Sequence, residues 1–461
     1  MLSNELKSKI NQLWDKFWSR GIANPITAIE QISYLLFLRR IDDTDSADKA
    51  RSNSSGTKYI TIFTKAKLDK KGIPIKKNGR IVYESMEDCR WSNFKKLDSD
   101  NMLKVVQERA FPFIKELNNP TQPYSRYMAN AVFSINSSAL LEEAVKAIDE
   151  IYDEIQIQKD KGQQFQDTQG DVYEYLIDEI GRGGKNGQFR TPRHLIQFMC
   201  ELVDPDWTDK ICDPACGTGG FLVGAYQHIL TKYSSTKEII EDENGLKRFK
   251  KYGGDKIKKE SIWKTLHEKA FYGFDLDQTM VRIGLMNLML HGIKIPQIES
   301  LDSLSKKYDK EHGDGEYSII LANPPFTGRI DKEGMSDQLK IDGIQSELLF
   351  LVRISKMLKP KGKAAVIIPE GVLFGGSKNQ KQTREILLKD NQLEAIISLP
   401  SGAFKPYTGV KTAILIFTKV KENSAKWNTK KVWFYELKND GYSLVENPVK
   451  LTTNFRCMLT T

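Results

Sequence analysis

From about residue 170 onward, short apolar runs of strand length alternate with longer runs of helical periodicity. Successive parallel strands need a crossover between them, and a helix is the usual one. The alternation therefore calls for a largely parallel sheet clothed in helices. Strands are expected at 210–213, 270–275, 317–322, 363–369, 393–399 and 412–418, with helices over 220–232, 278–291 and 345–358. The charged stretch 234–268 is too polar for a core and reads as a surface insertion. Near the end, 413–417 and 432–437 flank a Lys-rich turn, which predicts a late hairpin.

The first part of the chain has a different rhythm. Leu6, Ile10, Leu13, Trp14 and Phe17 fall on one helical face, and Ile29, Ile32, Leu35, Leu36 and Ile41 form a second stripe. Helical spacing returns over 100–110 and 139–155. Between them, Asn78-Gly79 sits in a basic, polar stretch and predicts a hairpin or loop. The expected organisation is a helical domain over 1–155, an α/β domain over 156–445 and a tail over 446–461.

A chain of 461 residues can bury a full core without disulfides or metals. Its 40% hydrophobic and 28% charged residues are ordinary for a globular protein, and a net charge of +9 permits a polyanionic partner without requiring one. Cys89, Cys200, Cys212, Cys216 and Cys457 make no metal-ligand pattern, and no two histidines stand four apart, so no metal site is expected. The N-terminus lacks a signal-peptide layout and no apolar run approaches a membrane span. The expectation is a cytoplasmic, reduced protein that does not touch a membrane.

Chemistry concentrates at the carboxyl ends of the expected strands, where open α/β sheets bind ligands. The apolar run 318–322 stops at Asn323-Pro324-Pro325-Phe326. Two prolines cannot continue a ladder, so the backbone becomes rigid there. An amide side chain and the Pro324 carbonyl then stand beside an aromatic ring, an arrangement suited to a planar exocyclic amine. An ordinary proline-rich strand exit is the plain alternative. The turn Asp213-Pro214-Ala215-Cys216-Gly217-Thr218-Gly219-Gly220 leads from a strand into an apolar helix. Its glycines allow close backbone approach, and the helix start offers free N–H groups. It lacks the ending of a phosphate-binding P-loop, and the aspartate opening it suits an ammonium better than a pyrophosphate. A dinucleotide site or a purely structural turn remain open.

Asp275 ends the next strand. It suits ribose hydroxyls there, or caps the following helix. Asp302 lies past a possible third strand, where it could meet an adenine amine. Upstream, Gln188, Phe189 and Thr191 precede a helix. Thr191 either caps that helix, with Pro192 at its first position, or belongs to a loop that closes over a ligand.

Together these clusters resemble the amino-methyltransferases, and more narrowly the modification (M) subunits of type I restriction–modification systems. The supporting stretches are 171–176, 187–192, 213–222, 273–275, 323–326, 365–374 and 399–412. Arg190 stands where an aromatic is frequent in that motif. The chain stops at Thr461, where many relatives continue with helices that contact the specificity subunit.

The resemblance implies an α/β, Rossmann-like S-adenosylmethionine-dependent methyltransferase domain behind an N-terminal helical domain. It implies methylation of adenine N6 in double-stranded DNA, at a sequence chosen by a separate DNA-specificity subunit, with a second copy of the chain and a restriction (nuclease/translocase) subunit as further partners. Asn323, Pro324, Pro325 and Phe326 would be catalytic. Gln188, Phe189, Thr191, Asp213, Pro214, Gly217, Thr218, Gly219, Asp275 and Asp302 would bind S-adenosylmethionine. Phe404 or Tyr407 would add a second face to the base pocket or pack in the core. The basic segments 70–80 and 419–431 would touch phosphates or stay solvated. Competing readings are an amino-methyltransferase acting on RNA or protein glutamine, and a non-catalytic cofactor-binding scaffold.

Overall fold

The computed structural model describes residues 2–441 apart from 57, 68, 70–72, 118–120, 161–167, 183–190, 242–246, 250–252, 327–332, 340, 342–344, 406–407 and 422–423. Its contacts form two compact units, Leu2–Gln163 and Gln164–Thr461. The expected tail over 446–461 lies outside the described residues.

In the first unit, α1 (Asn4–Ser19) begins where the Ser3 hydroxyl accepts the Leu6 N–H, and buries Leu6, Ile10, Leu13 and Phe17. Trp14 is only half-buried. Helix α2 (Pro25–Ser55) starts from an Asn24 cap with proline at its first position, and buries the Ile29 to Ile41 stripe. Helix α3 (Ser138–Asp160) packs against α1. Lys76–Lys77 pairs antiparallel with Arg80–Ile81 across Asn78 and Gly79, both at positive φ, so the expected basic hairpin forms.

The second unit is built on one eight-stranded sheet. Its strands are β1 (Ile211–Asp213), β2 (Phe271–Asp275), β3 (Gln297–Ser300), β4 (Tyr317–Ala322), β5 (Leu358–Pro369), β6 (Asn391–Ser398), β7 (Thr412–Lys419) and β8 (Trp433–Glu436). They lie in the order β3-β2-β1-β4-β5-β7-β6-β8. All pairs are parallel except those of β7, which runs against both β5 and β6. Strand β4 is buried along its whole length, as a continuous apolar run in a central parallel strand must be. Its neighbours in the core include Tyr308, Leu349, Ile354, Val366 and Leu415. Each such large apolar side chain contributes about 1.5–3 kcal/mol on burial. The order in which strands are added reverses between the parallel neighbours β1 and β4, a switch point of the kind that opens a crevice at the strands' carboxyl ends.

Two expectations need correction. The late hairpin does not form: β8 pairs parallel with β6. Strand β7 already carries full ladders to β5 and β6, so 432–437 can only take the free edge of β6. The insertion is not wholly superficial either. It holds the ribbon Ile239–Glu241 and Lys247–Phe249 and the helix Glu260–Glu268, and buries Phe249, Ile257 and Leu266. Among the described residues, no helix is long and apolar enough to cross a membrane.

Candidate active site

Strand β1 delivers Asp213 to the switch point, 2% exposed. Its Oδ1 accepts the Ala215 N–H at 3.0 Å, which bends the chain into the turn. Gly217 and Gly219 both adopt positive φ, at 50° and 78°. A Cβ on Gly219 would meet Leu288 at 2.5 Å, whereas one on Gly217 would point into open space. The first glycine thus faces open space and the second permits close packing beneath the turn. Helix α6 (Gly220–Lys232) follows directly and carries the turn's free N–H groups.

Strand β2 brings Asp275 to the same place. Its Oδ2 accepts the Gly217 N–H at 2.9 Å and its Oδ1 the Asp277 N–H at 2.9 Å. Asp277, not Asp275, caps helix α7 (Gln278–Leu290), so the capping alternative for Asp275 fails. Each oxygen keeps a second lone pair for a donor. Beyond β3, the Asp302 carboxylate accepts the Leu304 N–H, and the next residue, Ser303, donates its hydroxyl to the Pro214 carbonyl at 2.9 Å. That bond seats the Asp302 loop against the glycine turn.

Strand β4 ends in Asn323. Asn323 Nδ2 donates to the Thr191 hydroxyl at 3.0 Å, while its Oδ1 is buried with no hydrogen-bond partner among the described residues. Pro324 is buried, and the Ser346 hydroxyl holds the Pro325 carbonyl at 3.0 Å. Phe326 is 8% exposed and stands edge-on to Phe404, with centroids 6.4 Å apart and planes at 85°. Phe404 therefore buttresses that ring from the side. Gln188, Phe189 and Tyr407 lie outside the described residues. Thr191 does not cap its helix: α5 (Arg193–Val203) starts after Pro192 with no side-chain cap, and the hydroxyl is engaged by Asn323 instead.

Two supports escaped the sequence reading. Asn287, fully buried on α7, donates to the Thr218 carbonyl at 2.8 Å and to Glu174 Oε1 at 2.7 Å. Glu174 comes from α4 (Thr168–Arg182). A polar residue inside the apolar run 280–290 was the available signal. Among the basic segments, Lys419 is 4% exposed beside Asp390, so it is no phosphate contact. Glu299, Glu311 and His312 bring potential ligand atoms within 4.8 Å of one another, where the sequence led to no expectation of a metal site.

Burial pushes the Asp213 carboxyl up to about 8, the Asp275 charge adds to the rise, and the Ala215 N–H opposes it. Burial also raises Asp275. A buried acid and a half-buried one beside it thus favour a ligand that brings positive charge and hydroxyl donors. The Cys216 thiol is raised well above its usual range by burial, which leaves it a poor nucleophile.

Sheet order, glycine turn and amide-bearing strand end together define a Rossmann-like methyltransferase domain. Residues 164–456 match the family model described as N-6 DNA Methylase, and 6–148 match that of the HsdM N-terminal domain. The chain belongs to the N-6 DNA methylase family and is a DNA methyltransferase. It is 30% identical to the type I restriction enzyme EcoEI methylase subunit of Escherichia coli, over 90% of this chain and 74% of that one. It is 28% identical to the EcoKI methylase subunit of E. coli strain K12, over 79% of this chain but 65% of the relative. A chain from a structure of complex assembly and conformational transition in the type I R-M system superposes with a TM-score of 0.63 at 25% identity, covering 94% of this chain and 77% of that chain.

Proposed function

We propose that this chain is the catalytic modification subunit of a type I restriction–modification system, methylating N6 of adenine in double-stranded DNA. The buried Asn323 Oδ1 just past β4, without a hydrogen-bond partner among the described residues, carries this reading, because it is an acceptor held ready for a donor. A base inside a duplex cannot reach the crevice, so the adenine is flipped out at a cost of a few kcal/mol. Asn323 Oδ1 and the Pro324 carbonyl each accept one hydrogen of its amine. This turns the nitrogen lone pair out of conjugation. Phe326 stacks on the extruded ring, worth ~1–3 kcal/mol, with Phe404 steadying it and Pro325 held by Ser346. Alignment supplies most of the rate, and the proton leaves after nitrogen has become cationic, so no dedicated base is needed.

S-adenosylmethionine supplies the methyl group from its sulfonium centre. The acids and the open Gly217 fit such a ligand: Asp213 faces an ammonium, Asp275 the ribose hydroxyls, and Asp302 the adenine amine. Pro214, Gly217, Thr218 and Gly219 form the floor. The relatives are named as methylase subunits, which supports a separate DNA-specificity subunit as the partner that selects the target. A second copy and a restriction subunit complete the assembly that protects host DNA, in the cytoplasm.

The test is to incubate the chain with labelled S-adenosylmethionine and DNA, with and without a candidate specificity subunit, and assay N6-methyladenine. Label appearing only in RNA or protein would reject the proposal. Asn323→Ala should abolish transfer with cofactor affinity nearly intact; loss of cofactor binding would contradict the division of roles.

A further inference from the structure

We propose that Thr191 is a positioning residue that holds the Asn323 amide with its Oδ1 end toward the target base. This rests on the reading of Asn323 as the amine acceptor. An asparagine amide is nearly symmetric in shape but opposite in chemistry at its two ends. Turned one way it offers an acceptor to the adenine amine. Turned the other way it offers a second donor, and the two repel. The proline-rich backbone places the amide but does not choose between these orientations.

The group that holds the inner end keeps the amide from turning. Thr191 Oγ1 is that group, 3.0 Å from Asn323 Nδ2 and 132 residues away in sequence. Thr191 is 5% exposed, so water does not easily replace it. Its hydroxyl is not spent on helix capping, because α5 begins without a side-chain cap. By taking a hydrogen from Nδ2 it leaves Oδ1 as the buried end, unpaired among the described residues.

The test compares wild type, Thr191→Val and Thr191→Ser in the complex with the specificity subunit. Single-turnover transfer to adenine N6 and calorimetric S-adenosylmethionine affinity are both measured. Valine keeps the shape but cannot accept a hydrogen bond; serine can. Thr191→Val should lose about tenfold in single-turnover rate, the equivalent of one neutral hydrogen bond, with cofactor Kd changed less than about twofold. Thr191→Ser should restore most of the rate. An unchanged rate in Thr191→Val, or a rate loss matched by an equal loss of cofactor affinity, would overturn the proposal, as would failure of serine to rescue. A wild-type complex that transfers nothing to adenine would overturn the functional reading and this inference together, whereas an active wild type with an equally active valine variant would remove only the inference.

Discussion

At the residue scale, Asp213 shows how burial turns an ordinary side chain into a ligand-selective one. Its carboxyl is raised to about 8, so the folded chain favours the protonated form. The stability it contributes is whole below the unfolded value of ~4 and is lost as pH rises through about 8. Without ligand, wild type should lose stability relative to Asp213→Asn between pH 5 and 8, by at most about 1.4 kcal/mol per pH unit. Urea denaturation of both proteins across that range checks this; parallel profiles would show that the carboxyl is not raised. The residue's identity and place in the turn are visible in the sequence. Its electrostatics are not, because they depend first on burial in the folded core and then on Asp275, which arrives from another strand.

At the element scale, the strand-to-helix turn divides its work between two glycines. Gly219→Ala forces a side chain against Leu288 at a positive φ and should cost about 1–3 kcal/mol of stability, read by urea denaturation. Gly217→Ala meets open space, so its larger effect should fall on S-adenosylmethionine affinity measured by titration calorimetry. Equal effects of the two on affinity would refute the division. The sequence shows the glycines and the strand before them, since local periodicity and turn chemistry act over a few residues. It does not show which glycine faces open space, because Leu288 comes from α7. The same limit explains β8. Its apolar run was legible as a strand, but its partner depended on β7 having no free edge.

At the scale of the whole molecule, two units each carry their own core. In the first, Arg90 is 9% exposed and pairs with Asp42 at 2.8 Å and Asp45 at 2.6 Å, over the Phe63 ring. Arg90→Ala leaves two buried carboxylates without their cation and should destabilise that unit by about 3–5 kcal/mol. Urea denaturation of the full chain should show this loss, while S-adenosylmethionine affinity of the second unit stays within about twofold. A collapse of both readouts together would show that the cores are not independent.

Local order decided much of this protein before any tertiary contact. The β4 strand forms over 317–322 and stops at Asn323 because a continuous apolar run and paired prolines act on adjacent residues. The helix over 220–232 follows its glycine turn for the same reason. Tertiary structure alone joined Thr191 to Asn323, Asn287 to the Thr218 carbonyl, and Ser303 to Pro214. Those pairings bridge long stretches of chain. A hydroxyl or amide has no local preference that names a distant partner, and only packing of the sheet and its helices brings the two ends within hydrogen-bonding reach.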